Sequence, residues 1–141
     1  MTDLLTRIER GEPVKAQEVF DYSVSKVIEQ GAPSLRGTAC VYRAMNGNKC
    51  AFGHLIPDSL YEPHFEGGDA GALLIQGVKI TRYAPKLAAS LWEHSALITM
   101  IQKAHDIAAI FHADSFLLHF RLRAKEIARQ QRLTFTQGDN Q

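Results

Sequence analysis

Residues 40–67, CVYRAMNGNKCAFGHLIPDSLYEPHFEG, bring Cys40, Cys50, His54, His64, Arg43, Asp58, Glu62 and Glu66 into one short stretch. Side chains of these types support three chemistries: metal ligation, thiol nucleophilicity, and ion pairing that holds either a scaffold or an anion. Zinc sites draw on closely spaced Cys and His pairs such as C-x2-C and H-x3-H. The spacing here, C-x9-C-x3-H-x9-H, fits neither. A thiol enzyme would use Cys50 as nucleophile, His54 as base and Asp58 as orienting acid, and these must come within hydrogen-bond reach of one another. If Cys50 and His54 sit on one strand, they lie about 13 Å apart at a rise of about 3.3 Å per residue. That separation disfavours both the zinc and the thiol reading. We therefore assign no catalytic residue, no metal ligand and no cofactor from the sequence.

The strand placement rests on Asn46-Gly47, a strong hairpin signal because both central positions of a type I′ turn need positive φ. A two-residue turn there pairs residues 40–45 with 48–53 and sets Arg43 opposite Cys50. Cys40 and Cys50 then point to opposite faces, which forbids a disulfide. Arg43 shares a face with Val41, Cys50 and Phe52, and a guanidinium in such surroundings needs a carboxylate. Glu66, Asp58 and Asp106 are the candidates. The bland reading is an ion pair that pins the hairpin to the following loop. The functional one is a small-ligand site built from Arg43, Asp58, Tyr61 and Glu66, accepting a phosphate or carboxylate.

Helices must position this stretch, because two short strands are marginal alone. Residues 3–9 read as a short helix with Leu4, Leu5 and Ile8 on one side. Pro13 suits a first helical position, and residues 14–30 carry Phe20, Val24, Val27 and Ile28 at helical spacing before Gly31. Pro57-Asp58 opens a short helix, and residues 62–71 read as a loop. From residue 71 the pattern is helical. Residues 86–93 form a short helix, Ser95 caps residues 96–110, and Asp114 or Ser115 caps a last helix running to about Leu133. Its inner stripe is Phe116, Phe120, Ala124, Ile127 and Ala128. Trp92 is expected in the core, and His105-Asp106 reads as a polar pair at a helix contact. The seven-residue spacing of His105, His112 and His119 is read as coincidence. The sum is an α+β, mainly helical single domain over residues 1–133 with one hairpin at about 40–53, followed by a flexible tail over 134–141.

The last helix carries a second message. Arg121, Lys125 and Arg129 form a basic stripe with Arg132, and Leu118 and Leu122 lie beside it, outside the inner stripe. Leucines flanking arginines on an outer face mark a protein-contact surface, for a second copy of the chain or another protein, better than a phosphate track. Net charge is +1: residues 1–70 hold ten acids and seven bases, residues 71–141 five acids and nine bases. So mild an excess gives no reason to seek nucleic acid. The N-terminal MTDLLTRIERGEP lacks the apolar run of a signal peptide, and no run reaches the roughly 18 residues of a membrane span. The expectation is a soluble, cytosolic chain with reduced thiols.

The run from Cys40 to Gly67 also resembles a widespread group of small bacteriophage and prophage proteins with the pattern C-x-Y-R-x-x-x-G-x-K-C-A-x-G-x-L-I-P-D, then a tyrosine and an E-G pair. Cys40, Tyr42, Arg43, Gly47, Lys49, Cys50, Ala51, Gly53, Leu55, Ile56, Pro57, Asp58, Tyr61, Glu66 and Gly67 match, and the likeness extends over roughly residues 14–132. In many members the position of His54 is cysteine or alanine, which counts against a required base or ligand there. No activity comes with the group. The resemblance implies a context, a phage accessory protein in the cytoplasm of a bacterial host. The leading expectation is a non-enzymatic protein that binds and modulates or inhibits a host factor, such as a defence system. A nucleotide-signal or other small-molecule binder and a small Cys/His zinc or thiol enzyme are the alternatives.

Overall fold

The computed structural model describes residues 3–66 and 84–137. The architecture is α+β and mainly helical. Helix α1 (Leu4–Glu9) starts where the Asp3 carboxylate accepts the Thr6 N–H at 2.9 Å, and it buries Leu4 and Ile8. Helix α2 (Ala16–Gln30) begins three residues after Pro13 and ends at Gly31, whose φ of 75° a residue with a side chain seldom adopts. The Arg7 guanidinium pairs with both Glu18 carboxylate oxygens and ties α1 to α2. Helix α3 (Pro85–Leu91) runs into a 3-10 turn at Trp92–His94. Helix α4 (Ser95–Phe111) and α5 (Phe116–Gln130) follow, joined by a 3-10 turn at Ala113–Ser115. Among the described residues no helix is long and apolar enough to cross a membrane.

The helices enclose one core. Phe20, Val24 and Val27 of α2 meet Ile98, Ile101 and Ala108 of α4 and Phe116, Phe120 and Ala124 of α5. Phe52, Leu55 and Ile56 complete it from the intervening segment. All five residues of the expected α5 stripe are buried. Trp92 departs from expectation: it is half-exposed. The expected helical pattern over residues 71–83 and most of the loop at 62–71 lie outside the described residues, apart from a 3-10 turn at Pro63–Phe65.

The hairpin is not where the Asn46-Gly47 signal set it. The two strands are β1 (Leu35–Arg36) and β2 (Ala39–Cys40), antiparallel, with Leu35 opposite Cys40 and Gly37 in the turn at φ 62°. Around Asn46-Gly47 there is a single bridge, Arg43 opposite Lys49. The loop there has three residues. Gly47 N–H donates to Ala44 O at 3.0 Å, Ala44 N–H to Asn48 O at 2.8 Å, and only Gly47 takes a positive φ, 94°. This is the three-residue hairpin loop, a type I turn followed by a left-handed residue, rather than the two-residue one. It shifts the register by one residue, so Lys49 and not Cys50 faces Arg43, and such a slip exchanges the faces of every later side chain. Nor does a strand continue past Cys50. The His54 N–H donates to Cys50 O at 3.0 Å, and residues 53–55 form a 3-10 turn.

The C-terminal boundary also moves. Arg132, at φ 57°, reverses the chain after α5, and the Leu133 N–H returns to Ala128 O at 2.8 Å. The expected flexible tail begins at 134, yet Thr134 exchanges two hydrogen bonds with the Gln17 side chain, each at 2.9 Å. Phe135 sets its ring edge-on to Phe20 at 6.4 Å. Residues 134 and 135 are therefore docked on α2.

Among the described glycines Gly53 is the most closely packed, since a Cβ there would lie 2.1 Å from the Tyr42 carbonyl oxygen and 3.3 Å from Lys49 Cβ. Backbone must move to admit it. Gly53→Ala is expected to cost at least about 2 kcal/mol by overpacking, read as a lower urea midpoint at unchanged slope. A wild-type midpoint would contradict the packing described.

Candidate functional site

The segment from Tyr42 to Ile56 has an exposed tip at residues 45–47 and a largely buried stretch from Cys50 to Ile56, with almost no strand pairing, so its buried backbone groups need partners from elsewhere. Side chains on the helices supply them. Gln30 of α2 accepts the Lys49 N–H at 2.8 Å and donates to Lys49 O at 2.9 Å. Ser23 donates to Ala51 O at 2.7 Å, and Gln102 of α4 accepts the Phe52 N–H at 2.9 Å. Four of the residues singled out in the sequence then come together on this segment. Glu66 accepts the backbone N–H groups of Tyr42 at 2.9 Å and Arg43 at 3.2 Å, and the Tyr61 hydroxyl at 2.5 Å. Arg43 donates to Ile56 O at 2.8 Å, pairs with Asp58 at 2.9 Å, and lies over the Tyr61 ring at 4.3 Å. Lys49 approaches the same Asp58 oxygen at 3.7 Å.

Arg43 is thus paired, with a side chain only 20% exposed. Its partner is Asp58; Glu66 serves the backbone instead, and Asp106 lies elsewhere. The two terminal nitrogens of the guanidinium are held by Asp58 and the Ile56 carbonyl, while its buried Nε has no partner, so the cluster is a clamp rather than an open anion cradle. A groove of about 590 Å³ runs beside it, lined by Asp3, Thr6, Glu9, Lys49, Asp58 and Ser59 among others. Three carboxylates face one ammonium there, which disfavours a phosphate-bearing ligand.

The thiols are set against nucleophilic chemistry. Cys50 is fully buried, its sulfur accepts the Gly53 N–H at 3.3 Å, and burial pushes its pKa well above the usual thiol range. Cys40 is raised to about 12, first by burial and then by the Asp106 carboxylate beside it. Both are free and protonated at neutral pH, whereas reactive cysteines need the thiolate. His54 is lowered from 6.5 to about 4 by burial first, then by the positive charges of Lys49 and Lys26.

The structure also assembles a group that spacing did not single out. Ligand atoms of Cys40, His105 and Asp106 lie within 4.8 Å of one another. By residue type this is a metal donor set, and the hydrogen bonds decide against it. The Ser34 backbone N–H, a donor only, points to His105 Nε2 at 3.1 Å. That fixes the neutral tautomer with its proton on Nδ1, which donates to Asp106 Oδ1 at 2.8 Å. Gln102 donates to the same oxygen at 2.8 Å. Neither imidazole nitrogen is open to a metal without giving up one of these bonds. The group is a polar hub joining α4 to β2 and Ser34. The sequence signal for it was a glutamine and a histidine among Ile98, Ile101, Ala104 and Ala108 on an otherwise apolar face. The remaining histidine spacing was not idle either: His112 and His119 stack with ring centroids 3.6 Å apart.

On α5 the placement follows the helical period. Leu118 is 57% and Leu122 55% exposed. Lys125 and Arg129 are exposed on the same outward face, with Arg121 half-buried at its margin. None of the protein families, curated proteins or solved structures compared with this chain matches it.

Two outcomes follow from the clamp. Asp58 is 84% exposed, so Arg43→Leu leaves a solvated carboxylate and not a stranded charge. Its cost should fall to about 1–2 kcal/mol, below the roughly 3–5 kcal/mol of a broken buried pair. Glu66→Ala deprives two backbone donors and a phenol at once and should cost more than Arg43→Leu in chemical denaturation. The reverse order would overturn the assignment of Glu66 as the organiser. His54 sets a pH window. Its folded pKa is depressed, so the folded state disfavours the proton, and the stability it contributes is present above 6.5 and lost as pH falls to about 4. Melting temperatures of wild type and His54→Leu should converge, or cross in favour of the variant, between those values. Parallel curves would remove His54 as the titrating group.

Proposed function

We propose that this chain is a non-catalytic binding protein whose working surface is the outward face of α5, and that it serves as a phage or prophage accessory protein acting on a host factor in the bacterial cytoplasm. The observation that carries the reading is the pair Leu118 and Leu122, each more than half exposed on the side of α5 opposite its core stripe. Apolar area left in water forgoes about 25 cal/mol per Å², so two leucines one turn apart need a partner to account for them. Lys125 and Arg129 extend the face; the Arg129 fork is held by Glu126 on the same helix, and its apolar stem is what it adds. The resemblance of residues 40–67 to small phage proteins supplies the biological setting. The enzyme alternative loses support because burial holds both thiols in the protonated form. The nucleotide-binding alternative loses it because Arg43 is already engaged and the adjacent groove is acidic.

The test is capture from host lysate with wild type, with Leu118→Ser/Arg121→Glu, and with Arg36→Glu as a control for charge on an exposed site of β1. A host protein retained by wild type and by the control, and lost with the double variant at an unchanged thermal melt, is the expected result. Equal capture by all three would move the function off α5.

A further inference from the structure

We infer that the seam between α2 and the end of α5 is a recognition site for an extended peptide of another protein, one with an aliphatic residue and, two places on, an aromatic one, and that residues 133–135 fill this site from within the chain. The inference goes beyond the reading of α5 as a working surface and does not depend on it. The occupant displays the chemistry of the site. Residues 133–136 are neither helix nor turn, and their exposure alternates. Leu133 and Phe135 are partly buried against the core, while Thr134 and Thr136 face water. A period of two is that of an extended chain laid on a surface. Phe135 sets its ring edge-on to Phe20, which is fully buried.

Between the two anchors a single side chain reads the backbone. Gln17 Oε1 accepts the Thr134 N–H, and Gln17 Nε2 donates to the Thr134 carbonyl, each at 2.9 Å. This pairing takes up both polar groups of one peptide unit and ignores the side chain between them, so residues other than proline fit there. The second amide hydrogen of Gln17 goes to Asp21 Oδ1 at 2.8 Å. Asp21 lies one turn further along α2, so it orients the glutamine amide whether or not the strap is in place. Main-chain hydrogen bonds with pockets for alternate side chains are how sheet edges take up extended peptides. Here an oriented glutamine stands in for the edge.

The strap is held by little. Among the described residues, 134–137 make no other hydrogen bond outside their own segment. The chain enters the strap through Arg132 at φ 57°, where an L side chain crowds the following carbonyl. A free peptide carries no such hinge. Its apparent affinity falls with the fraction of chains whose strap is undocked, so loosening the strap strengthens binding. A second copy would bring the same anchors at a lower effective concentration than the tethered strap, which leaves the site to a foreign segment.

Amide NMR on the full chain tests this, with the peptide RLTFTQ, the sequence of residues 132–137, as probe. In Phe135→Ser, whose strap lacks its aromatic anchor, the probe at up to about 5 mM should shift the Gln17 side-chain amide saturably, and wild type should bind it at least about fivefold more weakly. Adding Gln17→Ala to Phe135→Ser should abolish the response. The unrelated peptide GVSYSG keeps the spacing and should bind as the probe does; GVYSSG, with the aromatic one place early, should not. Melts verify that each variant folds. In wild type, the Thr134 amide should exchange with solvent much faster than that of Val24 in α2, through opening of the strap alone. No saturable shift in Phe135→Ser, equal binding by wild type, a shift that survives Gln17→Ala, or a Thr134 amide as slow as Val24 would each overturn the inference. Binding confined to the chain's own sequence would overturn it as well, in favour of strap exchange between copies. None of these variants touches Leu118 or Arg121, so host capture through α5 stands or falls separately.

Discussion

The fold depends on one constraint: a buried chain segment that is neither helix nor strand must find partners for its peptide groups. Residues 42–56 pass from an exposed tip at residues 45–47 into the core with one bridge pair and one 3-10 turn. An unpaired buried peptide group costs about as much as a lost hydrogen bond, so each exposed donor or acceptor on this segment calls for a side chain at a defined place. Ser23 and Gln30 provide from α2, Gln102 from α4, and Glu66 from beyond the segment's own end. These side chains fix where α2 and α4 stand relative to the crossing chain. The helices therefore have two duties, burying apolar area and supplying polar groups to a neighbour that has no ladder.

That constraint gives the resemblance-bearing residues a physical meaning. Glu66 organises Tyr42, Arg43 and Tyr61, Arg43 reaches the Ile56 carbonyl and Asp58, and Gly53 lets the chain pass under the Tyr42 carbonyl. Arg43, Cys50, Tyr61 and Glu66 of the stretch are turned inward on the chain itself. The cysteines act as small buried groups, one of them capping its own turn. The apolar side chains left outward are Leu118 and Leu122 on α5, together with Met45, Trp92, Ile110 and Phe111 elsewhere.

Much of this was legible in the sequence, for reasons that differ by element. The helices were readable because Phe20, Val24 and Val27, and Phe116, Phe120 and Ala124, repeat with the helical period, and because Gly31 marks an end by its own stereochemistry. The outward leucines followed from the same period. The hairpin was readable only in part. Asn46-Gly47 marked a turn correctly, but a turn signal does not specify whether two or three residues close it, and no clean alternation flanked it to set the register. The strand inferred after Cys50 failed because peptide groups can be satisfied by side chains as well as by a neighbouring strand. The Arg43–Asp58 pair was reachable from the residue types alone. The Cys40–His105–Asp106 hub was not, because it joins positions 65 residues apart through a tertiary contact.

Thr134 and Phe135 close onto α2 at Gln17 and Phe20, a contact spanning 117 residues of chain. During synthesis α2 leaves the ribosome before Thr134 and Phe135, and part of its surface has no cover until these two residues emerge. At about 5–20 residues per second that interval lasts roughly 6–23 seconds. Through it the nascent chain displays the Phe20 side of an otherwise formed helix, the kind of apolar surface that holding chaperones recognise. The length of that window is set by the distance along the chain between α2 and the strap that covers it.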